Sequence, residues 1–554
     1  MEERRDPVLE EMAQAYWEAR LEADPLTATA IGDRRRDDRL PDITPEGRQR
    51  RRSELLEMSA AAAALDAGAL SVPDGVTLAA LRESITTDLA FVDAELGELT
   101  VDPLEGPQVA LLNVPSYQPL ASAAQADAYA ARVGAMANHV DGHVANLRRG
   151  MAAGRVGVSM LVERVIAQLD ALLARPAGTW PLAQHAGDDL ERHHRLETAI
   201  VDRLAPAFSR YRAFLADELL PESRDETRPG LGHVANGAAS YRALVRGYTT
   251  IDATPEELHE LGRGEVERID DELADLGARL LRTSNLAEAL QVLRTDPTLH
   301  FSTREEVADV AEASLRRAED AVPAWFGRLP SAPCEVVRMQ PHEEAHSTIA
   351  YYRDPAADGS RPGQYWINTS EPETRPRYEA EALAFHESVP GHHLQVALAQ
   401  EIDGLPAFRR HSLVTAYVEG WGLYSERLAE EMGLYSADLD RFGIASFDAW
   451  RACRLVVDTG MHALGWSRPQ AIAFMTQHTA LGENNIANEV DRYIAWPGQA
   501  LAYKVGQLEL LRLRAEARQR QGDRFDIRAF HDAVLDGGAL PLAVLRQVVE
   551  TRLT

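Results

Sequence analysis

The sequence predicts a mainly α-helical protein, a large multi-helix fold carrying one small antiparallel β-element. Three observations predict it. Apolar residues recur at a spacing near 3.6 through most of the 554 residues. Helix-opening signatures, with Thr or Ser before acids and Pro in a first turn, recur along the chain. Only the stretch from about 333 to 368 changes to short β-branched and aromatic runs separated by turn formers.

The first helix is expected over residues 7–22, where Leu9, Met12, Ala13, Tyr16, Trp17 and Ala19 share one face. Helical periodicity continues over 45–67, 76–97, 124–152, 157–174 and 187–219. Residues 221–237, rich in Pro and Gly, read as a long loop. Thr254-Pro255-Glu256-Glu257 opens a helix running to about 278, and Ser302-Thr303-Arg304-Glu305-Glu306 opens another. Three strands are expected at Glu335–Met339, Thr348–Tyr352 and Gln364–Asn368, with turns at Asp354-Pro355 and 358–363. Pro372 and Pro376 clear the way for a helix from about 377, and helices fill most of the rest. The chain divides into an N-terminal helical half, 1–330, and a second half, 331–554. The two are expected to form one intertwined unit, because there is no repeat, low-complexity tract or flexible linker.

Charge excludes some functions. The chain has 58 Lys+Arg against 86 Asp+Glu, a net charge of −28. A nucleic-acid binder needs a basic face, and so does a protein that docks on anionic membranes. No apolar run reaches membrane-spanning length. Cys334 and Cys453 cannot build a disulfide framework, and Met1 to Asp6 lead into no apolar leader, so a cytoplasmic location is expected. Lys504 is the single lysine beside 57 arginines. If it is kept for chemistry, a compact ammonium near the reacting groups orients substrate. Lys504→Arg should then fold normally and lose about tenfold in kcat/KM.

Two segments carry metal-ligand spacing. His342-Glu343-Glu344-Ala345-His346 matches His-Glu-x-x-His by letter. Pro341 precedes it and a β-rich run follows, so no amphipathic helix fits, and it reads as a chance match on a polar loop. The second segment runs from Tyr378 through Ala382–Phe385 to His386-Glu387-Ser388-Val389-Pro390-Gly391-His392-His393. It is a buried helix that kinks at Pro390, and three histidines within eight residues flank Glu387. A third ligand comes from Val414 to Glu426, an apolar helix in which Glu419 would be a costly charge unless it bound a metal or a partner. Glu426 lies on the same face, placed to hold a ligand imidazole.

These residues resemble the gluzincin metallopeptidases, in which a His-Glu-x-x-His helix is followed by Asn-Glu-Gly-x-x-x-Tyr-x-Glu. The His-Glu-x-x-Pro-Gly-His-His spelling is similar to a bacterial family catalogued as domain-of-unknown-function family 885. The similarity extends over most of the chain. It includes Tyr241–Thr250, 361–368, Asp458–His462 and Val490–Gly506. The resemblance implies a metallopeptidase-like fold with the β-element beside the metal helix. It also implies one Zn²⁺ held by His386, Glu419 and a second histidine. Pro390 replaces the usual second ligand, so His392 is chosen, with His393 as the alternative. The resemblance further implies an oxyanion-stabilising Tyr or His from a later helix: Tyr493 first, then Tyr503 and His462. Asp458 and His462, four apart, are spaced for a carboxylate–imidazole pair.

Arg451, Arg454 and Arg492 are candidates to hold a substrate carboxylate or to neutralise the site acids, and Tyr365 and Lys504 are further substrate contacts. The strand Gln364–Asn368 is expected to offer a peptide-like substrate an edge. The expected function is zinc-dependent hydrolysis of amide bonds in short peptides or peptide-like molecules, with Glu387 as general base. The alternatives are a metal-dependent hydrolase or lyase of a small metabolite, and a helical binding protein with a vestigial site.

Overall fold

The computed structural model describes residues 5–553 apart from 341–343, 345–347, 357, 358, 360 and 413. The early periodic segments form the helices Pro7–Ala23, Pro45–Ala64, Val72–Ala94, Ala123–Ala152 and Ser159–Leu173. In the first, the Asp6 carboxylate accepts from the backbone N–H groups of Val8 and Leu9, and Pro7 occupies the first turn. Leu9, Ala13, Tyr16, Trp17 and Leu21 then form its buried stripe. Capping boxes at Thr254/Glu257 and Thr303/Glu306 open the helices Pro255–Leu276 and Arg304–Ala321. The helix expected over 187–219 begins at Leu190 and widens twice into π-turns, at Ile200–Leu204 and Leu215–Leu219. Each widening precedes a proline, Pro206 or Pro221, which offers no N–H and crowds the preceding turn.

The β-element is mixed rather than antiparallel. Strands β1 (Cys334–Arg338), β2 (Ala350–Arg353) and β3 (Gly363–Ile367) lie in the order β1-β3-β2. β2 pairs antiparallel with β3, and β1 pairs parallel with it, Cys334 opposite Gly363. The physical reason is burial: Gly363, Tyr365 and Ile367 are all buried, so β3 takes the centre and its neighbours cover both edges. No edge of β3 is left for a substrate, which corrects the expectation of strand addition there. Tyr365 and Ile367 pack with Ala308 and Ala311 of the helix Arg304–Ala321 and with Ala384 of the helix Arg377–Glu387. The sheet is thereby fixed against the His386 helix.

In the second half, the helix Arg441–His462 is buried along nearly its whole length and packs along Pro255–Leu276. The helix Thr415–Glu431 packs along Ala502–Gln521. Their approach needs two glycines, since a Cβ on Gly420 would lie 2.5 Å from the Gly506 Cα. One hydrophobic cluster joins Leu9, Tyr16 and Leu81 to Phe385, Trp421, Leu545 and Leu553. The change of texture near 330 therefore does not divide the core.

His342 and His346 lie outside the described residues. Glu344, between them, is buried, and its carboxylate accepts from Arg304 at 2.9 Å and from the Thr369 hydroxyl at 3.0 Å. Both cysteines are free, and no helix among the described residues is long and apolar enough to cross a membrane.

Candidate metal centre

The helix Arg377–Glu387 buries Tyr378, Ala382, Phe385 and His386. It stops because Pro390 supplies no N–H, and the Val389–Pro390 peptide is cis. The chain breaks completely over 388–391, and a new helix, His392–Glu401, begins with its first residue at His392. The Trp421 indole N–H donates to the Pro390 carbonyl at 2.9 Å, tying the break to the Glu419 helix. The two imidazoles meet across the break at 4.6 Å between ring centres, nearly perpendicular.

His386 Nδ1–H donates to Glu426 Oε1 at 2.7 Å, which leaves Nε2 as the free nitrogen. His386 Nε2 lies 3.8 Å from Glu419 Oε2, and His392 Nε2 lies 3.6 Å from the same oxygen. One ligand atom from each of the three residues falls within 4.8 Å of the others. Ligand atoms about 2.0–2.2 Å from a tetrahedral ion stand roughly 3.3–3.6 Å apart, so the triad suits one zinc ion. Two imidazoles and one carboxylate leave a fourth position open. Gly422 lets this happen: a Cβ there would lie 2.7 Å from the His386 ring. Burial opposes a charge on His386, but the nearby carboxylates of Glu419 and Glu426 outweigh it and raise the pKa to about 9. Burial likewise opposes charge on Glu419, yet the two histidines hold it well below the ordinary carboxylate range.

The structure turns His393 away. Its Nε2–H donates to the Ala332 carbonyl and Nδ1 accepts from the Tyr352 hydroxyl, both at 3.0 Å, and burial lowers its pKa to about 4. Of the two alternatives for the second ligand, only His392 reaches the triad.

Glu387 ends its helix half-buried, and its charge acts on both His386 and Tyr365. Tyr365 also lines a cavity of about 720 Å³ that runs past Leu383, Ala380, Glu379 and Trp450, and none of His386, Glu387, His392 and Glu419 lines it. Tyr503 is half-buried and close enough to Glu419 for that charge, after burial, to raise its pKa.

Four expected site residues serve elsewhere. The Tyr493 hydroxyl, fully buried, accepts from Trp450 Nε1 at 2.9 Å and Arg454 Nε at 3.0 Å, so it braces helices instead of facing a substrate. His462 spends both nitrogens on backbone: Nδ1 accepts from the Leu231 N–H and Nε2–H donates to the Tyr493 carbonyl. Asp458 pairs with the Tyr241 hydroxyl and the Gly498 N–H, not with His462. Arg492 donates from all three nitrogens to Glu489 and Gln499. Lys504 is also corrected. Its ammonium is fully buried and donates to Asp448 at 2.5 Å, Glu265 at 2.9 Å and Gln507 at 2.9 Å, so no N–H remains for a substrate.

Sequence reasoning missed Glu379, Trp421, Gly422 and Glu489. Glu379 carries the clearest signal, two turns before His386 on the same buried face. Its carboxylate accepts from Ser446 at 2.7 Å. Burial pushes its pKa up to about 7; the Ser446 bond and Arg451 oppose this, and Glu426 adds to it. A folded pKa raised above an unfolded value of 4.5 means the folded state holds the extra proton. Stability is then lost as pH rises from about 4.5 to 7, on the order of 3 kcal/mol in total. Glu379→Gln is expected to flatten that part of the slope in urea unfolding followed against pH. Asp458, also pushed up to about 7 by burial, keeps its own share of the slope, so the difference between parent and variant is the measure.

Solved structures similar to this chain include two bacterial proteins. “The putative lipoprotein from Colwellia psychrerythraea” superposes with a TM-score of 0.92 at 27% identity, covering 98% of each chain. “A putative lipoprotein of unknown function from Shewanella oneidensis” superposes at 0.76 with 17% identity, over 97% of this chain and 99% of that one, a likeness of fold. No curated protein matches. The model of the family described as “Bacterial protein of unknown function (DUF885)” matches residues 25–549, and the chain belongs to that family.

Proposed function

We propose that this protein is a zinc-dependent hydrolase of amide bonds in short peptides or peptide-like molecules. The observation that carries the reading is the convergence of His386 Nε2, His392 Nε2 and Glu419 Oε2 beside a half-buried Glu387 that is not one of the three. A storage or structural site has no use for such a base. The gluzincin-like spelling of both helices supports the same chemistry.

His386, His392 and Glu419 would hold the ion. When bound, zinc supplies Lewis acidity that makes water a competent nucleophile near neutral pH. Glu387 takes the proton of the attacking water and returns it to the leaving amine. The Tyr503 hydroxyl donates to the carbonyl oxygen as it gains charge, the role Tyr493 cannot fill. Glu426 fixes the His386 tautomer, so Nε2 keeps its lone pair for the metal.

The test is metal analysis followed by exposure of the zinc-loaded protein to a mixed dipeptide and small-amide library, read by mass spectrometry. About one zinc per chain and chelator-sensitive cleavage are expected. A chain that takes up no zinc, or a zinc-loaded chain that cleaves no amide in the library, overturns the proposal.

A further inference from the structure

Arg451 and Arg454 lie one turn apart on the helix Arg441–His462 and are 5% and 3% exposed. Both guanidinium groups stack on Trp450, at 4.3 and 4.4 Å from its ring centre. Both also flank Tyr503, at 5.9 and 4.3 Å. Aromatic faces orient a guanidinium but leave its N–H groups unpaired. Arg451 Nε and Nη1, and Arg454 Nη1, have no hydrogen-bond partner among the described residues.

No carboxylate among the described residues reaches the free Arg451 donors or Arg454 Nη1. Glu489 takes Arg454 at 3.3 Å and Arg492 at 3.0 Å. Glu419 faces the two imidazoles, and Glu426 accepts from His386 through Oε1, its Oε2 making no hydrogen bond among the described residues. A buried guanidinium cannot shed its proton, so free donors on two of them ask for an anion. The half-buried Tyr503 links this pair to the metal triad, since both guanidinium groups lie over its ring and the Glu419 charge acts on its hydroxyl.

We infer that Arg451 and Arg454, arranged around Tyr503, form the subsite for a free carboxylate on the substrate, next to the metal triad. This rests on the hydrolase reading above and deepens it. In a peptide-like molecule the free backbone carboxylate belongs to the C-terminal residue, so the bond cleaved is the last one. The water oxygen joins the acyl carbon and the C–N bond breaks. The leaving nitrogen takes the proton carried by Glu387, and the products are a carboxylic acid and a free amino acid. The substrate class is therefore C-terminal dipeptide units and N-acyl amino acids.

Binding tests this apart from turnover. Zinc-loaded Glu387→Gln protein is titrated calorimetrically with a set of acetyl-dipeptides as free acids, and with the same set as C-terminal amides. The acids are expected to bind at least tenfold more tightly. Arg451→Met and Arg454→Met should each reduce that ratio to near one with zinc content unchanged, and Arg451→Lys should keep part of it. Equal affinity for acids and amides, or binding of neither set, overturns the subsite, and neither result requires a variant arginine to fold. An acid preference in a protein whose parent never cleaves an amide would sustain the subsite and sink the hydrolase reading instead.

Discussion

Glu387→Gln is expected to lower turnover by roughly 10²–10⁴-fold, the range a positioned general base contributes, while zinc content stays at the parent level. The separation follows from geometry. Glu387 is the last residue of the His386 helix, half-buried beside Tyr365, and the three converging ligand atoms belong to other residues. Glutamine keeps its shape and removes its basicity. Glu419→Ala is the contrasting change. It removes the oxygen that both imidazoles face at 3.6 and 3.8 Å, so zinc and activity should disappear together. Metal analysis alongside kcat reads both variants. Substantial turnover in Glu387→Gln would remove the general base from the scheme, and full zinc occupancy in Glu419→Ala would remove that ligand.

Lys504→Met is expected to destabilise the fold by about 3–5 kcal/mol, the range for breaking one side of a buried ion pair. Asp448 is 1% exposed and accepts from Lys504 at 2.5 Å, Arg427 at 2.6 Å and Arg268 at 3.1 Å. Glu265 completes the cluster, so one compact ammonium ties the helices Pro255–Leu276, Arg441–His462 and Ala502–Gln521 together. Lys504→Arg should also destabilise, by roughly 1–3 kcal/mol, because a longer planar group must enter a filled site. That replaces the tenfold kinetic loss expected from the sequence. Urea midpoints measure both variants. Burial alone would raise the Asp448 pKa, but Lys504 and Arg427 hold it well below the ordinary carboxylate range. Its contribution is therefore complete above its unfolded value of 3.8 and is lost as pH falls below it. A parent-like urea midpoint in Lys504→Met would show that the cluster is not stabilising.

What the sequence determined by itself is what short-range geometry controls. Helix starts follow from caps a few residues long, as at Asp6, Thr254 and Thr303. The three strands lie within two residues of where β-branched and aromatic runs place them. The facing of Glu419 and Glu426 is a matter of two helical turns on one element. Pro390 shows that the helix must stop.

Tertiary structure decided everything that depends on which distant group arrives first. His392 and His393 are neighbours in sequence. They part because Tyr352 and Ala332 occupy the ring of His393, while the break at 388–391 aims His392 at His386. The sequence ranks Tyr493 ahead of Tyr503 for an oxyanion, yet Trp450 and Arg454 both donate to the hydroxyl of Tyr493. β3 takes the centre of its sheet because two helices bury one of its faces, which no local pattern announces. Lys504 was conspicuous by composition, and only the arrival of Asp448 and Glu265, 56 and 239 residues away in the chain, makes it structural. Spacing within one helix sets which side chains share a face. A side chain's role is set by the partner that saturates its polar atoms, and for buried groups that partner comes from another element.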